Sequence, residues 1–328
     1  MPAKRKIRIT LLLLILMHGA VVFAGFLAPY DYAEQHRDYP YAPPTRLHLV
    51  DRLGSLRIRP FVYGMAQDPT TGDYRDRPDH VFPLRFFTGG RLFGVDRPGV
   101  VFLFGSDAYG RDVFSRVLYG GRISLATGVV AGGLALGIGL IWGMAAGFFG
   151  GWLDSALMRG AELFLALPWL YLLLAVRAFL PLHISPEQAF LLLVAIIGSV
   201  GWVRPARLVR GLVLSLRERP FVEAARGFGA GPMYLIRRHV LPETRGLLVT
   251  QATILIPQYV LAEVTLSFLG LGVGEPVPSW GCMLAEGRQY HSVVSNGWTL
   301  APGLALFCFL LGYLILADSM LENPPPVT

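Results

Sequence analysis

The side chains able to do chemistry are few, and their spacing excludes most reactions. Seven histidines (His18, His36, His48, His80, His183, His239 and His291) are scattered along the chain, and no two are spaced as zinc ligands are. Cys282 and Cys308 are the only cysteines, too few for a disulfide framework, and read as free packing thiols. Lysine occurs only at Lys4 and Lys6, so the body of the chain holds neither a phosphate-cradling nor a Schiff-base lysine. No metal, cofactor or catalytic group is expected. Glu263, inside an apolar run, and Arg177 are the ionisable groups that stand out, because an intramembrane carboxylate must pair or face water. Glu263 is a candidate for a pathway residue or for a structural pair with Arg177.

One polar segment carries mechanical rather than chemical punctuation. It runs from Arg219-Pro220-Phe221-Val222-Glu223-Ala224-Ala225-Arg226-Gly227-Phe228-Gly229 to Pro232 and then to Leu241-Pro242. Pro220 suits the first turn of a short helix and Gly229 the left-handed residue beyond its end. Pro232 opens a second helix, which Pro242 is expected to terminate. Two short helices then meet at a glycine elbow, with Ala224 and Ala225 keeping one face thin enough for a partner to come close.

The elements around this segment are apolar. Of 328 residues, 53% are hydrophobic and 16% charged, and mean hydropathy is +0.50. The apolar residues come in blocks of about 20, the length that crosses a bilayer. A soluble enzyme and a secreted disulfide scaffold are excluded. The net charge of +7 does not imply nucleic acid, because the basic residues sit between apolar blocks.

Hydropathy predicts an all-α polytopic membrane protein with six spans, near Ile9–Ala28, Ile123–Phe149, Leu157–Leu180, Ala189–Val213, Leu247–Leu271 and Trp298–Leu316. Basic residues before the first span put both termini in the cytoplasm. From Arg204, at the inner end of the fourth span, to Arg245, before the fifth, nine arginines against three glutamates put that connection inside as well. The layout is a cytoplasmic N-terminus and first helix (1–29), an extracytoplasmic insert and interfacial segment (30–121), a five-helix core (122–320) with the polar loop at 217–242, and a cytoplasmic tail (321–328). The insert is read as small and β-rich or irregular. Leu56–Arg59 alternates as a strand does, and Gly89-Gly90 separates Leu84–Thr88 from Arg91–Val95 as a hairpin turn would. Asp107/Arg111 and Asp112/Arg116 are spaced as i,i+4 pairs and predict an amphipathic helix at the membrane surface. Gly139, Gly143, Gly147 and Gly151 at intervals of four predict a face for close helix approach.

Glu223-Ala224-Ala225, Gly229 and Leu241-Pro242 resemble the EAA signature of ABC importer membrane subunits. Gly105-Ser106-Asp107-Ala108-Tyr109-Gly110-Arg111-Asp112 with Phe114-Ser115-Arg116, and Leu266-Ser267-Phe268-Leu269-Gly270-Leu271-Gly272 with Pro278-Ser279-Trp280-Gly281, are similar to stretches of the dipeptide/oligopeptide/nickel permeases, second subunit type. His239, Glu243 and the end Ala317-Asp318 depart from the common pattern. The resemblance implies a type I importer permease in a bacterial inner membrane. It implies a second permease subunit, two cytoplasmic ATPase subunits gripping the loop, and an extracytoplasmic substrate-binding protein delivering small peptides. Nickel chelates or other small solutes are the alternative cargo. A secondary transporter is disfavoured by the absence of an inverted repeat.

Overall fold

The computed structural model describes residues 2–51, 54–68, 70–166, 168–178, 185–287 and 295–322. His183, His291, the end of the third expected span and residues 323–328 of the expected tail lie outside them. The chain divides into two compact units: Leu125–Leu266 with the ends of the terminal helices, and Ile15–Ser124 with Ser267–Cys308.

The first unit is wholly helical, and helices continue into the second. Helices α1 (Pro2–Val22) and α2 (Ala24–Leu27) open the chain, and α3 (Val113–Phe149) runs for 37 residues. There follow α4 (Gly151–Ala166), α5 (Trp169–Ala178), α6 (Pro186–Gly201), α7 (Val203–Arg217), α8 (Pro220–Gly227), α9 (Pro232–Leu235), a π-helical turn (Ile236–Val240), α10 (Leu241–Glu243) and α11 (Arg245–Phe268). Helix α12 (Trp280–Glu286), a 3-10 turn (Gly297–Leu300) and α13 (Ala301–Glu322) complete the chain.

The expected count of six spans is not reached by length and composition alone among the described residues. Among the described residues three helical stretches are long and apolar enough to cross a membrane: α3, α11 and Gly297–Met320. Two bent pairs bring the number to five when each counts as one span. Helices α4 and α5 meet at 87° and α6 and α7 at 40°. Proline explains both breaks: Pro168 lies in the first, and Pro205, in the first turn of α7, cannot donate to the carbonyl of Gly201 and crowds it. Helix α1 begins with Lys4, Arg5, Lys6 and Arg8 and does not meet the same criterion.

The glycine stripe of α3 packs on α7. A Cβ at Gly139 would lie 2.6 Å from Pro205 Cβ, one at Gly147 2.8 Å from Val213 Cβ, and one at Gly143 would collide with the carbonyl oxygen of Ala206. Gly128 does the same service against Val260 of α11, whereas Gly133 and Gly137 face open space.

In the second unit β1 (His48–Val50), β2 (Leu56–Gln67) and β3 (Tyr74–Pro83) form an antiparallel sheet in that order. Strands β4 (Arg85–Thr88) and β5 (Arg91–Gly94) pair as a separate hairpin, Thr88 opposite Arg91, around Gly89 and Gly90 at φ 61° and 76°. Val62, Met65, Leu84, Phe93, Val101 and Phe102 form a core of their own with Tyr30 and Ala42.

The amphipathic surface helix expected from Asp107 to Arg116 is absent. Gly105 and Gly110 take φ 74° and 71°, Ser106 bridges Asp112, and the helix begins only at Val113. The four charged side chains are buried rather than solvated, with Arg116 at 0% and Asp112 at 1% exposure.

Candidate functional site

The polar segment 217–242 forms an elbow on a rigid base. Helix α8 starts with Pro220 in its first turn, behind an extended Arg219. It ends on Phe228, and Gly229 follows at φ 84°. The N–H of Gly229 donates to the Arg226 carbonyl at 2.9 Å and that of Ala230 to the Ala225 carbonyl at 3.1 Å, closing the helix as a left-handed cap does. Val222, Leu235 and Val240 are buried. Val240 and Ile236 join Met144 of α3 and Val209, Val213 and Leu216 of α7 in one apolar cluster. That cluster fixes the elbow to the helices beneath it.

Its outer surface is apolar and positive. Phe228 is 94% exposed, and Phe221, Met233 and Tyr234 are exposed beside it. His239 lies between Phe221 and Tyr234, 5.8 Å from each ring. Glu223 and Ala224 are exposed and Ala225 half-buried. Among the described residues Glu223, Arg226, Arg237 and Arg238 form no ion pair. Leu241 and Pro242 sit in α10, and here the expectation is corrected. Pro242 does not terminate the second helix: the chain turns once through the π-helical Ile236–Val240 and continues into α11. The wide turn accommodates the hydrogen bond that Pro242 cannot donate.

Glu263 is fully buried in α11, and the Arg177 side chain, its expected partner, lies outside the described residues. Both cysteines are free; Cys282, expected in a loop, stands in α12 and its thiol donates to the Val273 carbonyl at 2.9 Å. Among the described residues no cluster of three or more His, Cys, Asp or Glu side chains could hold a metal.

A second constellation was not anticipated. In the second unit, Arg111 Nε donates to Asp107 at 2.6 Å and its Nη1 to Glu275 at 2.6 Å. Arg116 Nη2 donates to both Glu275 and Glu286 at 2.9 Å. Beside it Asp107, Arg116 and Glu286 line a cavity of about 210 Å³ with Tyr41, Tyr109 and Met283. Burial raises the Glu275 carboxyl, but its hydrogen bond with Glu286 and the Arg116 and Arg111 charges outweigh that and hold it low. Burial and the hydrogen bond with Glu275 push the Glu286 carboxyl up, against the pull of the Arg116 and Arg111 charges. Burial also lifts Asp112 to about 7, against the bonds from Ser115; its Oδ2 accepts from the Ser115 N–H at 2.8 Å and hydroxyl at 2.6 Å, while Oδ1 has no partner. Sequence spacing gave the Asp107–Arg111 pair but hid the rest of the network, because Glu275 and Glu286 lie far along the chain. The usable signal was the pair Glu275 and Glu286 flanking the buried Trp280.

Residues 139–323 match the family model described as binding-protein-dependent transport system inner membrane component. The elbow lies wholly within the match. A dipeptide transport system permease protein, DppC of Bacillus subtilis (strain 168), is 36% identical over 68% of this chain and 68% of its own length. OppC, the oligopeptide transport system permease protein of Haemophilus influenzae, is 38% identical over 63% of this chain and 65% of its own. GsiD, the glutathione transport system permease protein of Escherichia coli O6:K15:H31, is 38% identical over 70% and 73%. Among solved structures, an inward-facing MetNI methionine ABC transporter resembles 65% of this chain and 98% of its own, at 22% identity and a TM-score of 0.48. The family match over residues 139–323 and the relatives at 36–38% identity, together with the long apolar helices and the elbow fixed to their core, lead to one conclusion: the chain belongs to the binding-protein-dependent transport system inner membrane components, the permeases of ABC importers.

Proposed function

We infer that this chain is the permease subunit of an ATP-driven importer of small peptides, one half of a pathway completed by a second permease. The peptide assignment is supported by three relatives at 36–38% identity named for dipeptide, oligopeptide and glutathione transport. In this reading the type I architecture has six spans: α1 with α2, α3, the bent pairs α4/α5 and α6/α7, α11 and α13. The surplus of arginine around the elbow puts it in the cytoplasm with both termini, by the positive-inside rule, and the insert outside, facing the binding protein.

The observation that carries the mechanism is the elbow: an apolar cap, Phe228, held 94% exposed by a base buried in the helix bundle. An exposed apolar patch on rigid supports marks an interaction site. Lacking a phosphate-cradling lysine in its body, the chain takes its work from ATPase partners. Glu223, Ala224, Ala225 and Gly229 form the docking face and Leu241 and Pro242 the hinge into α11, so closure of two cytoplasmic ATPase subunits rocks the helices as bodies. Glu263, buried in α11, is the pathway candidate; Glu263→Gln tests it, and normal uptake removes it from that role.

The coupling reading is tested in native vesicles with Ala225→Cys in a chain whose own cysteines are replaced. Cross-linking to the ATPase subunit that changes with nucleotide is expected, together with loss of uptake in Gly229→Pro and Glu223→Arg at normal membrane levels. Unchanged uptake in both variants contradicts it.

A further inference from the structure

The two broken helix pairs enclose a pocket that the coupling mechanism does not use. It lies within the first unit, has a volume of about 260 Å³, and is walled by Pro168 and Trp169 at one bend, Gly201 and Arg204 at the other, and Gln258 and Tyr259 of α11. Tyr259 is 1% exposed, yet its hydroxyl has no hydrogen-bond partner. A buried polar group left unmatched is expensive and rare. Gly201 makes the arrangement possible: a Cβ there would collide with the Tyr259 hydroxyl. Trp169 braces the same ring at 6.3 Å between centroids.

The chemistry of the wall selects an anion. Its polar residues are Arg204, Gln258 and Tyr259, each carrying a donor, and among the described residues no carboxylate lines it. Among the described residues Arg204 has no ion pair. Helix α5 starts at Trp169 in the wall, and the start of a helix carries the positive end of its dipole. Discontinuous helices whose ends meet a cavity are a recurrent way of building a solute site in a membrane. The volume suits one terminal residue rather than a whole peptide.

We propose that this pocket receives the terminal carboxylate of a peptide in transit, with Arg204 and the Tyr259 hydroxyl as its partners. The proposal rests on the peptide reading above. The complete transporter, in proteoliposomes with its binding protein, is assayed for uptake of a neutral dipeptide and of its C-terminal amide. Arg204→Gln is expected to lower free-acid uptake about tenfold, the value of one charge-assisted hydrogen bond, and to leave amide uptake unchanged, so that the ratio of the two collapses. Arg204→Lys restores part of the ratio, and Tyr259→Phe, which keeps the ring, reduces it several-fold. Brisk uptake with the same ratio in wild type and Arg204→Gln overturns the carboxylate site alone. A wild-type transporter that carries another solute and neither peptide overturns both this proposal and the peptide reading.

Discussion

Arg116 and Glu286 meet at 2.9 Å across 170 positions of sequence, and the same guanidinium nitrogen also reaches Glu275. The contact ties the first turn of α3 to α12, and Arg116 is wholly buried in it. Arg111, five residues earlier and ahead of the helix, repeats the pattern, so two guanidinium groups hold three carboxyls from two distant segments.

Removing one arginine therefore strands carboxyls in a partly dry site. Breaking a buried pair from one side costs about 3–5 kcal/mol. Because Glu275 and Glu286 keep 48% and 33% of their side chains exposed, Arg116→Ala is expected near the bottom of that range, about 3 kcal/mol. Glu286→Gln, which keeps a neutral hydrogen-bonding group, is expected to cost less than half as much. Thermal unfolding of the purified transporter checks both. A change below about 1 kcal/mol for Arg116→Ala would show that the network contributes no more than a surface pair.

The buried carboxyl of Asp112 makes the second unit sensitive to pH. Asp107, Ser115 and Tyr30 are the groups whose polarity acts on it. Its folded value, near 7, lies above its unfolded value of 3.8. Its contribution to stability is thus fully present below the unfolded value and is lost as pH rises through the folded one. Glu286, also raised, acts in the same sense. Unfolding temperature is expected to fall from pH 5 to pH 8, with each group adding at most about 1.4 kcal/mol per pH unit. Asp112→Asn should flatten the curve to about half its slope; curves of equal slope would remove Asp112 as a cause.

Helix packing in the first unit offers a sharper contrast. A side chain at Gly143 meets backbone, the Ala206 carbonyl, which cannot rotate away, whereas Gly133 faces open space. Gly143→Leu is expected to abolish stable folding, read as loss of a monodisperse peak after extraction. Gly133→Ala should be neutral or stabilise by about 0.5–1 kcal/mol through the unfolded chain and helix propensity. Equal behaviour of the two variants would mean that the α3–α7 contact is not a close one.

Local rules were legible in the sequence where neighbours a few residues apart decide the outcome. Pro220 in the first turn of α8, the left-handed Gly229 and the spacing of Gly139, Gly143 and Gly147 all belong to that class. The bends at Pro168 and Pro205 escaped because apolar composition over a long window outweighs one missing donor. Pro242 misled in the opposite direction, since a single π turn absorbs it. In the 107–116 segment the i,i+4 rule pairs Asp107 with Arg111, as found, but the helix that the rule presupposes does not form. Two left-handed glycines prevent one, and Arg116 finds its partners 159 and 170 residues away. No local pattern encodes a contact of that range.

Phe228 supplies the most direct separation of folding from coupling. Its ring is 94% exposed and lies outside the apolar cluster that fixes the elbow, so its loss leaves the base intact. Phe228→Ala should change stability by no more than about 0.5 kcal/mol, as for an ordinary surface site. If the ring docks in an ATPase groove, its truncation removes a buried aromatic anchor, typically worth about 2 kcal/mol or more at an interface centre. Uptake and binding-protein-stimulated ATP hydrolysis should then fall together by more than tenfold, while membrane levels and unfolding temperature stay at wild-type values. Val222→Asp is the opposing control: it charges a fully buried position and should lower stability as well as uptake. Were Phe228→Ala to transport at the wild-type rate, the exposed ring would have no part in docking and the thin face at Ala224 and Ala225 would have to carry the contact alone.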